Sequence, residues 1–370
     1  MSFFFVSLQS NELAAKKAFM GIKTTKVATS RINDFDESNI QFGKLYADHM
    51  LVAEYANGEW ESTEIMPYGD ISMSPATTFI HYGQSIFEGI KAYKNKDGRV
   101  AIFRPEENWK RFNRSADRMG MPDVPYDIFM EGMKTLIALD KAWVPSTDGC
   151  SLYIRPYMFA TDNFIGVKPA ECFRFMIINS PAGAYYNKPT RIYLQDQYVR
   201  ACKGGVGFAK AAGNYAASMK PMMEAKAKGY DQILWTDGVE HKYIQEIGTM
   251  NVFFVIGDKV VTPELNDSIL AGITRDSILT LLRDQGKTVE ERPVTIDEIV
   301  SAFQQGELKE AFGAGTAAVI APIAALHYKG TDIELPPVDT WTVAHSIKAD
   351  LADIRYGRVP DTREWMYFVD

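Results

Sequence analysis

A segment rich in proline, glycine, serine and asparagine divides this 370-residue chain nearly in half. It runs from Ser180-Pro181-Ala182-Gly183 to Asn187-Lys188-Pro189, and these residue types interrupt both helices and strands. At about 150 residues per domain, the length also favours two domains. The sequence therefore predicts an N-terminal α/β domain over 1–182, a linker at 183–190 and a C-terminal domain over 191–370.

The composition excludes several classes of protein. Its 46% hydrophobic and 24% charged residues are typical of a soluble globular chain, and no apolar stretch reaches the roughly 18 residues of a membrane-spanning helix. A net charge of −7 argues against a nucleic-acid or membrane partner. Cys150, Cys172 and Cys202 lie too far apart for a disulfide framework, so we expect the cytoplasm.

Strands and helices alternate irregularly along both halves, which predicts a mixed α+β and α/β fold. Asn57-Gly58 predicts a hairpin between a strand from Gly43 and a second from Trp60, because both residues tolerate positive φ. In the C-terminal half, one helix is expected from Tyr215 to Gly229 with a kink at Pro221. Other expected elements are a helix from Pro105, strands at 151–160, 171–178, 190–199, 231–235, 240–246, 250–256 and 310–312, and helices following Gly272 and Thr295 and at 341–355.

Metal and dinucleotide sites are not favoured by the motifs present. The histidines at 49, 81, 241, 327 and 345 share no ligand spacing, so we expect no metal centre. The run from Gly313 to Ala318 fits Gly-x-Gly-x-x-Ala, but too few residues follow it for the strand and helix units of a dinucleotide fold. A tight turn is the simpler interpretation of that run.

Lys210 is the first positive signal, because it stands among small and apolar residues at 206–212. Burial there would disfavour the charged amine and free it as a nucleophile, and small neighbours would leave room for a planar ring. A lysine taken alone is most often a solvated surface charge. Glu246, at the end of a predicted strand, could pair with a pyridinium nitrogen, although an ordinary surface glutamate is the alternative.

Two glycine turns supply the remaining chemistry. Gly272-Ile273-Thr274 at a helix start and Gly313–Thr316 at a strand end each expose backbone N–H groups that can bind a phosphate dianion. Arg104, just before a helix, can add a charge-assisted contact. A lysine, an acid for a ring nitrogen and phosphate-binding turns are together what pyridoxal phosphate requires.

These segments closely resemble the branched-chain amino acid aminotransferases, of the larger, eukaryotic-like subgroup of fold type IV pyridoxal-phosphate enzymes. The match runs from about Phe42 to the C-terminus. The motifs that carry it are Phe42-Gly43-Lys44, Asp48-His49-Met50-Leu51, His81-Tyr82-Gly83-Gln84, Phe87-Glu88-Gly89-Ile90-Lys91-Ala92, Phe103-Arg104-Pro105, Tyr153-Ile154-Arg155-Pro156, Gly213-Asn214-Tyr215, Glu246-Ile247-Gly248-Thr249-Met250-Asn251 and Phe312 to Ala317.

The resemblance implies a two-domain fold, with a small N-terminal domain and a larger C-terminal pseudo-barrel domain that carries pyridoxal 5'-phosphate on Lys210. It also implies that Lys210 moves the proton, that Glu246 keeps the ring nitrogen protonated and that Tyr215 hydrogen-bonds the phenolic oxygen. The phosphate-binding residues implied are Arg104, Ile273, Thr274 and Thr316, with Ile273 and Thr274 acting through their backbone N–H groups.

The substrates implied are L-leucine, L-isoleucine and L-valine with 2-oxoglutarate, in a reversible ping-pong reaction through pyridoxamine phosphate that gives 2-oxo acids and L-glutamate. A homodimer is implied as well. Arg155 matches an arginine associated with the dicarboxylate. The other substrate-pocket residues implied are Phe42, Tyr82, Phe87, Tyr153, Tyr185, Thr249 and Ala317. Plain core packing is the alternative interpretation of Phe42, Phe87 and Tyr153.

Several alternatives remain open from the sequence. D-amino acid aminotransferases and aminodeoxychorismate lyases share the fold, but they are generally shorter and lack the Tyr-x-Arg-Pro segment. A non-catalytic phosphate-binding protein and a nicotinamide oxidoreductase would also use glycine turns. One feature departs from the resemblance: some members of the subgroup carry a Cys-x-x-Cys redox switch after the last glycine turn, where this chain has residues 317–321 without cysteine.

Overall fold

The computed structural model describes residues 21–183 and 188–369. Backbone contacts group them into two compact units, one made of 21–183 with 361–369 and one made of 188–360. Among the described residues, each unit contains one nine-stranded sheet with helices packed on it. The predicted mixed α/β fold is confirmed.

The first unit is a largely antiparallel sheet with strand order β1-β3-β2-β8-β7-β5-β6, and β4 pairs with β7. Its strands are β1 Lys23–Thr24, β2 His49–Ala56, β3 Glu59–Pro67, β4 Ser85–Phe87, β5 Ile90–Lys94, β6 Val100–Phe103, β7 Ser151–Ala160 and β8 Phe173–Ala182. Its α-helices are α1 Thr78–Tyr82, α2 Pro105–Arg118 and α3 Gly132–Leu139, with a π-turn at Asp127–Glu131 and 3-10 turns at Ile32–Asp34, Glu37–Asn39 and Lys141–Trp143.

Local signals explain much of this unit. Asn57 and Gly58 have φ of 55° and 82°, so they form the predicted hairpin turn between β2 and β3. The strand expected from Gly43 begins only at His49. Helix α2 begins at Pro105 and buries Phe112, which packs against Phe129 and Phe175 in the core on one face of the sheet.

The second unit has the strand order β11-β10-β9-β16-β15-β12-β13-β14, and β17 pairs with β16. Its strands are β9 Thr190–Leu194, β10 Gln232–Thr236, β11 Ile244–Ile247, β12 Asn251–Ile256, β13 Lys259–Thr262, β14 Thr288–Glu291, β15 Leu308–Gly315, β16 Val319–Tyr328 and β17 Thr331–Glu334. Its helices are α4 Ala212–Ala216, α5 Met219–Ala227, α6 Ile273–Asp284, α7 Ile296–Gln304 and α8 Val343–Arg355, with a 3-10 turn at Val338–Thr340.

Two features of this unit differ from the expectation. The single helix expected from Tyr215 to Gly229 is two helices, α4 and α5, and the break precedes Pro221 instead of falling on it. Pro221 lies in the first turn of α5, where its missing N–H removes no helical hydrogen bond. The capping box at Thr295 is confirmed, because its side chain accepts the N–H of Glu298 at 3.1 Å.

The C-terminal residues belong to the first unit. Strand β18, Met366–Phe368, pairs antiparallel with β6 at the edge of the first sheet. By backbone contacts, residues 361–369 group with 21–183 and not with 188–360. Nothing in the local pattern of 361–369 reveals a partner strand near residue 100.

The turn between β10 and β11 is held by the carboxylate of Asp237. Its oxygens accept the backbone N–H groups of Val239, Glu240, Lys242 and Tyr243 at distances from 2.8 to 3.1 Å. Burial raises the pKa of this carboxyl, but the four donors together outweigh burial and lower the pKa to about 2. The turn is thereby fixed close to β11, the strand that carries Glu246.

We expect Asp237→Asn to lower the free energy of unfolding by about 1–3 kcal/mol at neutral pH, because an amide accepts fewer of these N–H groups. The pKa of Asp237 is lower in the folded chain than its ordinary 3.8. Its stabilisation is therefore complete above about pH 4 and is lost as the pH falls towards 2. Urea unfolding at several pH values should show a shallower acid slope in Asp237→Asn, whereas Asp258→Asn, on an exposed turn, should keep the wild-type slope.

Candidate active site

Lys210 lies two residues before α4, and its side chain meets Tyr215 on that helix. Lys210 Nζ donates to Tyr215 Oη at 2.9 Å, and both residues are half-buried. Asn214 fastens the preceding loop, since its Nδ2 donates to the carbonyl oxygens of Val206 at 2.8 Å and Ala209 at 3.0 Å. The loop is thereby held in the conformation that brings the amine to the tyrosine hydroxyl.

Glu246 is a buried carboxylate on β11, with 3% of its surface exposed. Its Oε1 accepts from Arg200 Nη2 at 3.1 Å and from the backbone N–H of Leu270 at 2.7 Å. A buried carboxylate stays ionised when it is paired and hydrogen-bonded in this way. Together with Tyr215, these three residues line one small cavity, whose other lining residues are Asn214, Ser218, Gly248 and Thr249.

The two glycine turns lie in the second unit, as Lys210 and Glu246 do. Ile273 and Thr274 are the first residues of α6, and the glycine that precedes them offers no side-chain oxygen to the first N–H groups of the helix. Such a helix start suits a phosphate dianion. Thr316 and Ala317 form the turn between β15 and β16, and Val319 just beyond has φ of 63°. This conformation is strained for a β-branched residue, and such strain is concentrated at functional sites.

Arg104 occupies a second strained position, in the first unit. Its φ of 49° places it in the left-handed region directly before α2. Its backbone N–H donates to the carbonyl of Trp365 at 2.7 Å, and its guanidinium carbon lies 5.0 Å from the centre of the Trp365 ring. The contacts with Trp365 therefore hold Arg104 in a backbone conformation that an arginine rarely adopts.

Aromatic residues and one arginine of the first unit form a cluster. The rings of Tyr153 and Phe42 form an edge-to-face contact, with their centroids 5.0 Å apart. Arg155 Nη2 donates to Tyr153 Oη at 2.8 Å, and the Arg155 guanidinium carbon lies 4.6 Å from the centre of the Phe87 ring. The buried Nε of Arg155 has no hydrogen-bond partner in the described part of the chain. An arginine held by rings and left with a buried donor is suited to an anionic ligand.

A buried ion pair, which the sequence did not reveal, supports this cluster. Glu88 is fully buried and accepts from Arg111 Nε and Nη2 at 2.7 and 2.8 Å, and from Asn108 Nδ2 at 2.7 Å. The next residue, Gly89, lies against Tyr153, because a Cβ at position 89 would be 2.3 Å from the tyrosine hydroxyl oxygen. The loop after β4 is therefore fixed by a charge pair and fitted closely to the ring.

Two other predicted pocket residues differ in their surroundings. Tyr82 is at the end of α1 with 43% of its surface exposed, whereas Thr249, in the turn after β11, lines the small cavity beside Tyr215 and Glu246. Tyr185 lies outside the described residues. Arg200, Asn214 and Leu270 were missed because no spacing or composition marks them, and Leu270 acts only through its backbone.

Comparison with known proteins places this geometry in a family. The model of the amino-transferase class IV family matches residues 85–326. A probable branched-chain-amino-acid aminotransferase of Staphylococcus aureus is 50% identical over 339 residues, which are 90% of this chain and 94% of that protein. The chain belongs to the branched-chain aminotransferases of class IV.

Solved structures agree with this assignment. A branched-chain aminotransferase of Thermoproteus uzoniensis, crystallised with norvaline, has a TM-score of 0.72 at 25% identity and covers 87% of this chain and 100% of its own. The T.th. branched-chain amino acid aminotransferase with pyridoxamine 5'-phosphate has a TM-score of 0.69 at 29% identity, with 86% and 98% covered. The resemblance to the branched-chain aminotransferases and the fold type IV architecture, both inferred from the sequence, are confirmed.

Within 21–183 and 188–369, no helix has both the length and the apolar character needed to cross a membrane. The same residues contain no group of histidine, cysteine, aspartate and glutamate side chains arranged to hold a metal ion.

We expect Gly89→Ala to lower the free energy of unfolding by about 1–3 kcal/mol, because the new methyl group collides with the Tyr153 hydroxyl. Chemical denaturation measures this loss. The same substitution in a Tyr153→Phe background should cost less, since the closest atom is gone. Gly69→Ala, where nothing lies within 4 Å of a new Cβ, is the matched control. Equal losses for Gly89→Ala in both backgrounds would contradict the steric argument.

Proposed function

We propose that this chain catalyses the reversible transamination of L-leucine, L-isoleucine and L-valine with 2-oxoglutarate, by a ping-pong reaction through pyridoxamine phosphate. One observation carries the proposal: a lysine amine 2.9 Å from a tyrosine hydroxyl stands in the same unit as a buried glutamate–arginine pair. The 50% identity to a probable branched-chain aminotransferase supports the substrate class.

Pyridoxal 5'-phosphate is the cofactor, and the donor set of the second unit fits it. The cavity beside Tyr215 and Glu246 offers a hydroxyl and an ionised carboxylate, and α6 begins without a side-chain cap. We assign the phosphate to Ile273, Thr274, Thr316 and Arg104. When bound, this cofactor supplies an aldehyde that takes up the amino group and a ring that accepts electrons from the α-carbon.

Each protein group then has one task. Lys210 Nζ would hold the cofactor at its aldehyde carbon in the resting enzyme and would carry the proton that leaves the substrate α-carbon. Tyr215 Oη orients that amine and hydrogen-bonds the phenolic oxygen. Glu246, kept ionised by Arg200 and the Leu270 N–H, holds a proton at the ring nitrogen.

The first unit supplies the substrate residues in this proposal. Phe42, Phe87 and Tyr153 give an apolar surface for branched side chains, where each methylene contributes about 1–3 kcal/mol of discrimination. Arg155, with its buried Nε unpartnered among the described residues, is the group that binds the distal carboxylate of 2-oxoglutarate. We assign Tyr82, Tyr185, Thr249 and Ala317 to the same pocket by resemblance alone.

We also propose that the enzyme is a homodimer. The loop after β7 exposes Phe164, Ile165 and Val167 by 47%, 66% and 90%, and Ile80 of α1 is 53% exposed. Thr78 Oγ1 donates to the Asp162 carbonyl at 2.8 Å, so helix α1 and this loop form one surface. A contiguous apolar surface of this kind is typical of an isologous interface between copies.

Two further assignments rest on sequence. We place the chain in the larger, eukaryotic-like subgroup because it carries Tyr153-Ile154-Arg155-Pro156 and is much more similar to the staphylococcal relative, at 50%, than to the solved structures, at 25% and 29%. We place it in the cytoplasm because its three cysteines, Cys150, Cys172 and Cys202, are an odd number spread too far apart for a disulfide framework.

The test of the function is absorbance spectroscopy of the purified enzyme. Adding L-leucine to the wild type should remove the absorbance band of the lysine-bound cofactor, whereas D-alanine should leave it. Lys210→Ala should lose about 10³-fold or more in turnover and should not retain the cofactor after borohydride reduction. Lys203→Ala, an exposed lysine of the same loop, is the control. A Lys210→Ala variant with full activity would refute the assignment.

The test of the dimer is light scattering after size-exclusion chromatography. Val167→Asp should shift the population towards monomer, because a carboxylate would be buried without a partner. Val239→Asp changes a side chain that is 89% exposed in the other unit and should leave the molar mass unchanged. A wild type that elutes as a monomer at all concentrations would end this part of the proposal.

A further inference from the structure

Asn251 links three segments near the candidate cofactor site, which are β12, β15 and the segment that leads into α6. It is the first residue of β12, has 6% of its surface exposed, and pairs with Ala314 of β15, two residues before Thr316. Its Nδ2 donates to the carbonyl of Leu270 at 2.9 Å. The side chain therefore joins two strands of the sheet to the segment that leads into α6.

Gly272 is fitted to this side chain. A Cβ at position 272 would lie 2.0 Å from Asn251 Oδ1 and 3.2 Å from its Cγ, which no real side chain can occupy. The φ of Gly272 is −70°, so the backbone conformation is open to any residue and does not require glycine. The glycine is needed because the asparagine is there.

The segment 270–272, which Asn251 holds, is connected to Glu246 at one end and to the start of α6 at the other. At one end, the Leu270 N–H donates to Glu246 Oε1 at 2.7 Å. At the other end, Gly272 is the N-cap of α6, and its carbonyl accepts the Asp276 N–H at 3.0 Å. A shift of the segment would therefore move the carboxylate's donor and the helix start together.

We propose that Asn251 is a positioning residue for the cofactor: by holding 270–272, it sets the ring-nitrogen carboxylate and the phosphate-binding helix start relative to each other. The inference rests on the proposed function, which assigns Glu246, Ile273 and Thr274 to the cofactor. It assigns no contact between Asn251 and the cofactor. The fit between Asn251 and Gly272 makes the idea testable by a double-mutant cycle.

The experiment measures the rate at which the cofactor leaves the holoenzyme on dilution, by its absorbance. Asn251→Ala loses the bond to Leu270, and Gly272→Ala forces its new methyl group onto Oδ1. Each single change should raise the release rate about tenfold or more. In the Asn251→Ala background, adding Gly272→Ala should raise it by less than about threefold, because the blocking atom is gone.

Two variants keep the test independent of folding. Asn251→Asp preserves the size of the side chain but has no donor for the Leu270 carbonyl, so it should also release the cofactor faster if Asn251→Ala does not fold. Asn113→Ala removes an asparagine that makes the same kind of contacts in the first unit, to the Val124 carbonyl at 3.1 Å and the Val124 N–H at 3.0 Å. It should lower thermal stability without changing the release rate.

Two molecules that each contain only part of the cofactor test the connection to Glu246 and the connection to the start of α6 separately. Pyridoxal, which has no phosphate, and inorganic phosphate, which has no ring, should both compete less well for the site in Asn251→Asp. An effect on phosphate alone would overturn the link to Glu246. Additive effects of Asn251→Ala and Gly272→Ala, or unchanged release from Asn251→Asp, would overturn the proposal. A wild type that binds no cofactor would instead refute the proposed function.

Discussion

The ion pair between Arg200 and Glu246 organises the second unit. A carboxylate with 3% exposure is stable only if a cation and hydrogen-bond donors replace the water it loses, and Arg200 and the Leu270 N–H do so. The same guanidinium group also donates to the carbonyls of Gly207 and Ser268. One arginine therefore ties together the loop that leads to Lys210, the carboxylate on β11 and the loop that leads to α6.

The first unit uses two arginines in opposite ways. Arg111 is buried against Glu88, and its charge is neutralised where it lies, so it holds the loop at Phe87 and Gly89. Arg155 is held by the Tyr153 hydroxyl and the Phe87 ring, and no described carboxylate pairs with it. The paired arginine gives a rigid support, whereas Arg155 keeps a buried Nε without a hydrogen-bond partner among the described residues. The difference follows from the residue opposite each guanidinium group.

Local chemistry decided which parts of the fold were predictable. The Asn57-Gly58 hairpin and the Thr295 cap need only neighbouring residues, so the sequence reveals them. Strand β18 pairs with the distant strand β6, and no local pattern marks it. The residues of the candidate site also fall into those that the local sequence marks and those that only the fold reveals. Lys210 stands out by its small neighbours, Glu246 by its place on a strand and both by resemblance, whereas Arg200 and Asn251 matter only because folding brings them to Glu246 and Gly272.

The position of β18 has a consequence for biosynthesis. The edge strand of the first sheet and the carbonyl that accepts the Arg104 N–H are both supplied by residues 365–368. The ribosome synthesises these residues after the whole of 188–360. Until translation is nearly over, the N-terminal unit therefore lacks its edge strand and Arg104 lacks the hydrogen bond to the Trp365 carbonyl. The first half to emerge is thus the last to be finished, and in an incomplete nascent chain Arg104 lacks the carbonyl that accepts its N–H.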